Sequence, residues 1–209
     1  MMPHYLPAET GLLLIDIQKG FNHPTHWGSS RSTPQFEANI ASLLSAFRNA
    51  GAHIFHVCHH STFEASPLHP SKESAEFMPY AAPLLAEKVF PKTTNSPFIE
   101  TALEQAIKSQ GIKRLVVCGL MTAHCVATTV RMASNLNVVK HSYGILNLDE
   151  QTRGAMALVS DGTATFDVDF EGKSYDAETV HAVHLATMKN EFCDVETTEE
   201  VLAILGEQQ

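Results

Sequence analysis

Short, mainly apolar runs recur along this chain, and each is followed by a longer stretch with helical spacing. Residues 11–17 (GLLLIDI), 113–118 and 156–160 are such runs, and 53–58 is a less regular one. A continuous apolar run suits a parallel strand buried on both faces, whereas a half-exposed strand would alternate. Between the runs, residues 34–49 place Phe36, Ile40, Leu43, Leu44 and Phe47 on one stripe, with Gly51 as a stop. Residues 98–109 (closed by Gly111), 125–136, 177–190 and 198–205 read as further helices, and 191–195 as a last short strand. Strands alternating with helices predict an α/β fold whose parallel sheet is covered on both faces. Residues 61–91 are polar and proline-marked, so they read as a long loop. No linker divides the chain, and residues 1–209 are read as one domain.

Composition excludes several function classes. The formal net charge is −9, and lysines and arginines are scattered rather than clustered. Nothing supplies the electrostatic footprint of a nucleic-acid or anionic-membrane partner. No apolar run reaches membrane-spanning length, and residues 1–10 lack the basic and apolar regions of a signal peptide. The four cysteines, Cys58, Cys118, Cys125 and Cys193, match no zinc spacing. A reducing cytoplasm is the expected setting. Cys58, Cys118 and Cys193 read as core.

Cys125 reads differently. Leu115 to Val117 run into Gly119, a short turn follows, and a helix is expected to begin near the cysteine. That junction is the edge where open α/β sheets bind ligands. A helix N-terminus there would also favour the thiolate, the nucleophilic form. Asp16 ends the first apolar run, where an acid is costly unless partnered or useful. Lys92 lies in a proline-flanked segment after the second strand.

Four segments occur in order: LIDIQKGF at 14–21, PKTTNSPF at 91–98, GLMTAHCV at 119–126 and LVSDGTAT at 158–165. This order resembles the isochorismatase-like cysteine hydrolases, which include nicotinamidases, N-carbamoylsarcosine amidohydrolase and ureidoacrylate amidohydrolases. The resemblance covers nearly the whole chain. It implies a three-layer Rossmann-like fold with a mostly parallel sheet of about six strands. It also implies a catalytic triad of Asp16, Lys92 and Cys125, with Asp16 as general base and Lys92 holding the carboxylate and favouring the thiolate. In similar enzymes a cis peptide precedes the residue four before the cysteine. Here that bond is Leu120–Met121, which would turn the backbone N–H groups of Met121 and Cys125 toward an oxyanion. The implied reaction opens a carbon–nitrogen bond of a small amide or ureido compound through a thioester. Isochorismatases proper cleave a vinyl ether without a cysteine nucleophile, so the alternatives are that reaction or a catalytically silent binding protein. Relatives are commonly oligomers, so a dimer or tetramer is expected.

Nicotinamidases bind a metal through an Asp-x-His pattern and a further histidine. Here the segment 57–63 reads VCHHSTF and lacks the aspartate. Strand alternation sends His53 and His59 to one face and His56 and His60 to the other, so the four cannot share one ion. No metal or cofactor is expected. Gln18, Phe21, His59 and His60 are the candidate substrate contacts, with Phe21 as an apolar wall. Trp27 reads as packing. His124 abuts the nucleophile, with a side chain free to point away along the new helix. His181 and His184 read as helix packing or a subunit contact. Residues 138–154 look like an insertion whose Ile145, Leu146 and Leu148 favour a subunit contact.

Overall fold

A computed structural model describes residues 5–140 and 155–206. Six parallel strands form the central sheet: β1 (Thr10–Ile15), β2 (His53–His59), β3 (Lys88–Lys92), β4 (Arg114–Leu120), β5 (Met156–Ala164) and β8 (Asp194–Glu196), in the order β3-β2-β1-β4-β5-β8. Helix α1 (Phe36–Ala50) and helix α5 (Thr198–Gly206) lie on one face, packing Phe36, Ile40, Leu44, Val201 and Leu205 against Leu12 and Leu14. Helices α2 (Leu103–Ser109), α3 (Ala127–Asn135) and α4 (Ala177–Met188) lie on the other, packing Leu103, Ile107, Val130 and Met188 with Leu13 and Ile15. The fold is therefore the expected three-layer α/β sandwich. Consecutive residues of β1 feed opposite cores, and so all six are buried.

The strand order runs outward from β1 in one direction and from β4 in the other. Where such an order reverses, the loops leave in opposite directions and open a crevice beyond the carboxyl ends of the strands. Here the crevice lies between β1 and β4. Gly119 sets how closely those two strands approach. Its φ is 125°, and an added Cβ would lie 2.1 Å from the carbonyl oxygen of Ile15, the residue just before Asp16.

Three expectations need correction, and one element was missed. The loop expected over 61–91 ends in strand β3, which Pro91 had disguised. A proline removes one ladder donor and is tolerated on an edge strand, and β3 is the edge. The helix expected from 98 begins at Leu103, because Glu100 adopts a left-handed φ of 56° that breaks the run. The helix expected from Cys125 begins at Ala127, after a wide π-type turn over Thr122–Val126 in which the Val126 N–H donates to the Met121 carbonyl. A hairpin of β6 (Val168–Phe170) and β7 (Lys173–Tyr175) was not anticipated. Its residues are almost all exposed, so they carry no apolar pattern. Most of the expected insertion, residues 141–154 with Ile145, Leu146 and Leu148, lies outside the described residues.

Candidate active site

Asp16 directly follows β1, Lys92 ends β3, and Cys125 lies in the wide turn after β4. Three strand ends thus bring together residues far apart in sequence. The Lys92 Nζ donates to Asp16 Oδ2 at 2.7 Å, to Cys125 Sγ at 3.3 Å and lies 3.2 Å from His59 Nδ1. All three ammonium hydrogens have an acceptor within the site. Asp16 is fully buried, and Lys92 and Cys125 are 2% and 8% exposed. A charged pair this deep is tenable only with close partners, and the ammonium has one for each hydrogen.

His59 accepts from Lys92 through Nδ1, so its remaining hydrogen lies on Nε2 and the ring is neutral. Burial and the adjacent Lys92 ammonium both hold the His59 imidazole below its usual range. His59 thereby joins the group that sequence motifs had limited to Asp16, Lys92 and Cys125. Strand alternation was the available signal, since it puts His59 and not His60 on the side facing β3's lysine. His60 instead sits on the opposite side, with Nε2 3.6 Å from Cys58 Sγ, and lines a separate surface depression beside Pro91. Gln18 is also withdrawn from the pocket. It is fully buried, its Nε2 donates to the His59 and Ala75 carbonyls at 3.1 and 2.7 Å, and its Oε1 accepts from the His59 N–H at 2.8 Å. Gln18 is a clamp that ties the end of β2 and the following loop to the end of β1.

A cavity of about 660 Å³ opens above Cys125. Phe21, Trp27, Leu68 and Met121 form much of its wall, and Phe63, which is 77% exposed, stands at its rim. Phe21 and Trp27 stack with ring centroids 4.6 Å apart. The Trp27 Nε1 donates to the Gly20 carbonyl at 2.8 Å, so the indole offers the cavity only its carbon surface. Trp27, read from sequence as packing, is therefore a lining residue, and so is His124. Asn95 brings its Oδ1 to 3.8 Å from Cys125 Sγ, a contact that no sequence signal had singled out. The peptide bond Leu120–Met121 is cis.

Comparison with known proteins decides the family. A profile of the isochorismatase domain matches residues 10–200. The chain belongs to the isochorismatase family. It is 34% identical over 198 residues to the isochorismatase family protein YrdC of Bacillus subtilis, covering 94% of this chain and 96% of that one. An isochorismatase-family structure from Chromobacterium violaceum superposes with a TM-score of 0.85 at 36% identity, covering 99% of this chain and 98% of the other. Streptothricin hydrolase of Streptomyces noursei is 30% identical over 122 residues, covering 58% of this chain and 47% of that one.

In this isochorismatase-family hydrolase the resting protonation state departs from the sequence expectation of a readily formed thiolate. Burial pushes the Cys125 thiol up to about 12, and the facing Asp16 carboxylate adds to the rise although Lys92 opposes it. Burial also raises the Asp16 carboxyl, with Lys92 pulling the other way. Burial disfavours the Lys92 ammonium, but Asp16 and Cys125 outweigh it and the lysine stays charged. The 2.7 Å contact between Lys92 and Asp16 is that of an ammonium and a carboxylate, set beside the Cys125 thiol. Asp16 Oδ1 is buried and accepts no hydrogen bond from the described residues, which leaves a lone pair for the thiol proton. Asp16, His59 and Cys125 each offer a ligand atom within 4.8 Å of the others, the kind of set that could hold a metal. The Lys92 ammonium already donates to all three, and a divalent cation would meet that positive charge, so the set does not fit a metal ion.

Proposed function

We propose that this isochorismatase-family hydrolase is a cysteine hydrolase that opens a carbon–nitrogen bond of a small amide or ureido-type substrate. The observation that carries the reading is the Lys92 ammonium shared among Asp16, His59 and Cys125 beneath one cavity. Asp16 Oδ1 takes the thiol proton as Sγ attacks the carbonyl carbon, and the S–C bond forms. The charge passes from carboxylate to sulfur to the substrate oxygen, and Lys92 stays within reach of the first two throughout. The backbone N–H groups of Met121 and Cys125 are the proposed donors to the oxyanion, each worth roughly 3 kcal/mol in the transition state. Asp16 then returns its proton to the departing nitrogen, the C–N bond breaks, and a thioester remains. Water, deprotonated by Asp16, attacks that thioester; the S–C bond breaks and the proton returns to sulfur. A vinyl ether offers no carbonyl carbon to the thiol, so the geometry at sulfur favours an acyl substrate over ether cleavage.

Two further elements belong to the proposal. Four unpaired, buried cysteines suit a reducing cytoplasm. The exposed Leu84, Leu85 and Val89, beside and on the edge strand, support self-association, which sedimentation velocity would read. The decisive test is mass spectrometry of the intact protein mixed rapidly with a panel of small amides. An acyl adduct confined to Cys125, and no turnover by Cys125→Ala, is the expected result. Turnover by that variant would remove the nucleophile from the mechanism.

A further inference from the structure

The charges around the cavity are unevenly supplied. Among the described lining residues there is no lysine or arginine, and the one acid is Asp16. Lys92, just beneath, has its three hydrogens committed to Asp16, His59 and Cys125. His26 and His124 line the cavity at exposed positions, and neither is a permanent cation. A carboxylate entering here would lose its water and find no fixed counter-charge, which is costly in a site this apolar. Isochorismate, with two carboxylates, is poorly matched to such a site.

The walls point to what does fit. The stacked pair of Phe21 and Trp27 presents flat carbon surface, and Leu68 and Met121 add aliphatic surface. Phe63 is the most exposed aromatic at the rim, and nothing in the fold requires a ring there. An exposed ring at the mouth of an apolar cavity gains by covering an apolar ligand. At the reacting end Asn95 stands beside the sulfur, and Ser61, Ser66, His26 and His124 add polar atoms elsewhere in the lining. The aromatic and aliphatic side chains still supply much of the wall.

We propose that the substrate is an uncharged amide whose acyl half carries a planar or bulky apolar body, seated between the Phe21–Trp27 stack and Phe63, and that acyl halves bearing a carboxylate are rejected. This rests on the cysteine-hydrolase reading above and names the substrate class for the same site.

The test separates binding from chemistry. Cys125→Ala is titrated by calorimetry with benzamide, acetamide and 4-carbamoylbenzoate, while the unaltered enzyme is assayed on the same three for ammonia release. Benzamide should bind and react at least about tenfold better than acetamide, and about tenfold or more better than 4-carbamoylbenzoate, the range expected from apolar contact and an unpaired buried charge. Phe63→Ala, at an exposed position that folding does not need, should lower the ratio of benzamide to acetamide kcat/KM by about threefold to tenfold. Equal or tighter binding of the carboxylated amide, or an unchanged ratio in Phe63→Ala, would overturn the proposal. If the variant binds benzamide selectively but the enzyme releases no ammonia and forms no adduct, the pocket preference stands and the cysteine-hydrolase reading falls.

Discussion

At the scale of single residues the site is a matter of counting hydrogens. Lys92 has three to give and three acceptors take them. His59→Phe would leave one buried donor unpaired, and kcat should fall by about tenfold, the equivalent of about 1–2 kcal/mol. His59→Asn, which keeps an acceptor, should recover much of the loss, and steady-state kinetics of the two variants reads the difference. In the proposed mechanism Asp16 should govern the acid side of the pH profile. Its carboxyl is raised by burial above its usual 3.8. A base must be ionised to act, so kcat/KM should fall as pH drops through this raised value, above the ordinary carboxylate range. Asp16→Asn should lower kcat by about 10²–10⁴-fold and abolish that acid limb; a limb unchanged in the variant would assign it to another group. Asp16, Lys92 and Cys125 were legible because each sits in a short motif. Gln18 was not, because its neighbours in sequence show only a polar residue at a strand end. What consumes its amide is Ala75 and His59, distant along the chain.

Elements carry the residues, and their legibility varied with burial. β1 and β4, buried on every residue, could be read from their apolar runs. β3 could not, since an edge strand needs no continuous apolar run and tolerates Pro91. Lys92 nevertheless sits at its end. β8, at the other edge, is only three residues long and is held by more than its ladder. Arg114 at the start of β4 pairs with Glu196 at 2.6 Å, with both side chains at most 4% exposed. Removing the Glu196 carboxylate takes a close counter-charge from a buried guanidinium. Glu196→Ala should therefore cost about 3–5 kcal/mol, read as a lowered urea midpoint, while activity per folded molecule is retained because the pair lies at the opposite end of the strands from the site. Loss of activity without loss of stability would show that this end of the sheet communicates with the cavity.

For the whole molecule, the order of strands decides where the crevice lies, and Gly119 sets how closely β1 and β4 approach there. The alternation of strands and helices and the family resemblance implied a covered parallel sheet, without a strand order. The contact that tightens the reversal between β1 and β4 was not legible either, because close approach of two backbones has no pattern along one strand. Gly119→Ala would press a methyl group onto the Ile15 carbonyl and require an unfavourable φ. It should destabilise by more than about 1 kcal/mol and also separate Asp16 from Cys125, so thermal midpoint and kcat should fall together. A variant of normal stability and full activity would refute that account. The depth of the site has a chemical result for the protein's endurance. Oxidants and stray electrophiles consume thiolates, and the resting sulfur of Cys125 is a thiol pushed up to about 12. Peroxide should inactivate the resting enzyme slowly, and the sulfur becomes vulnerable only while Asp16 is drawing its proton away.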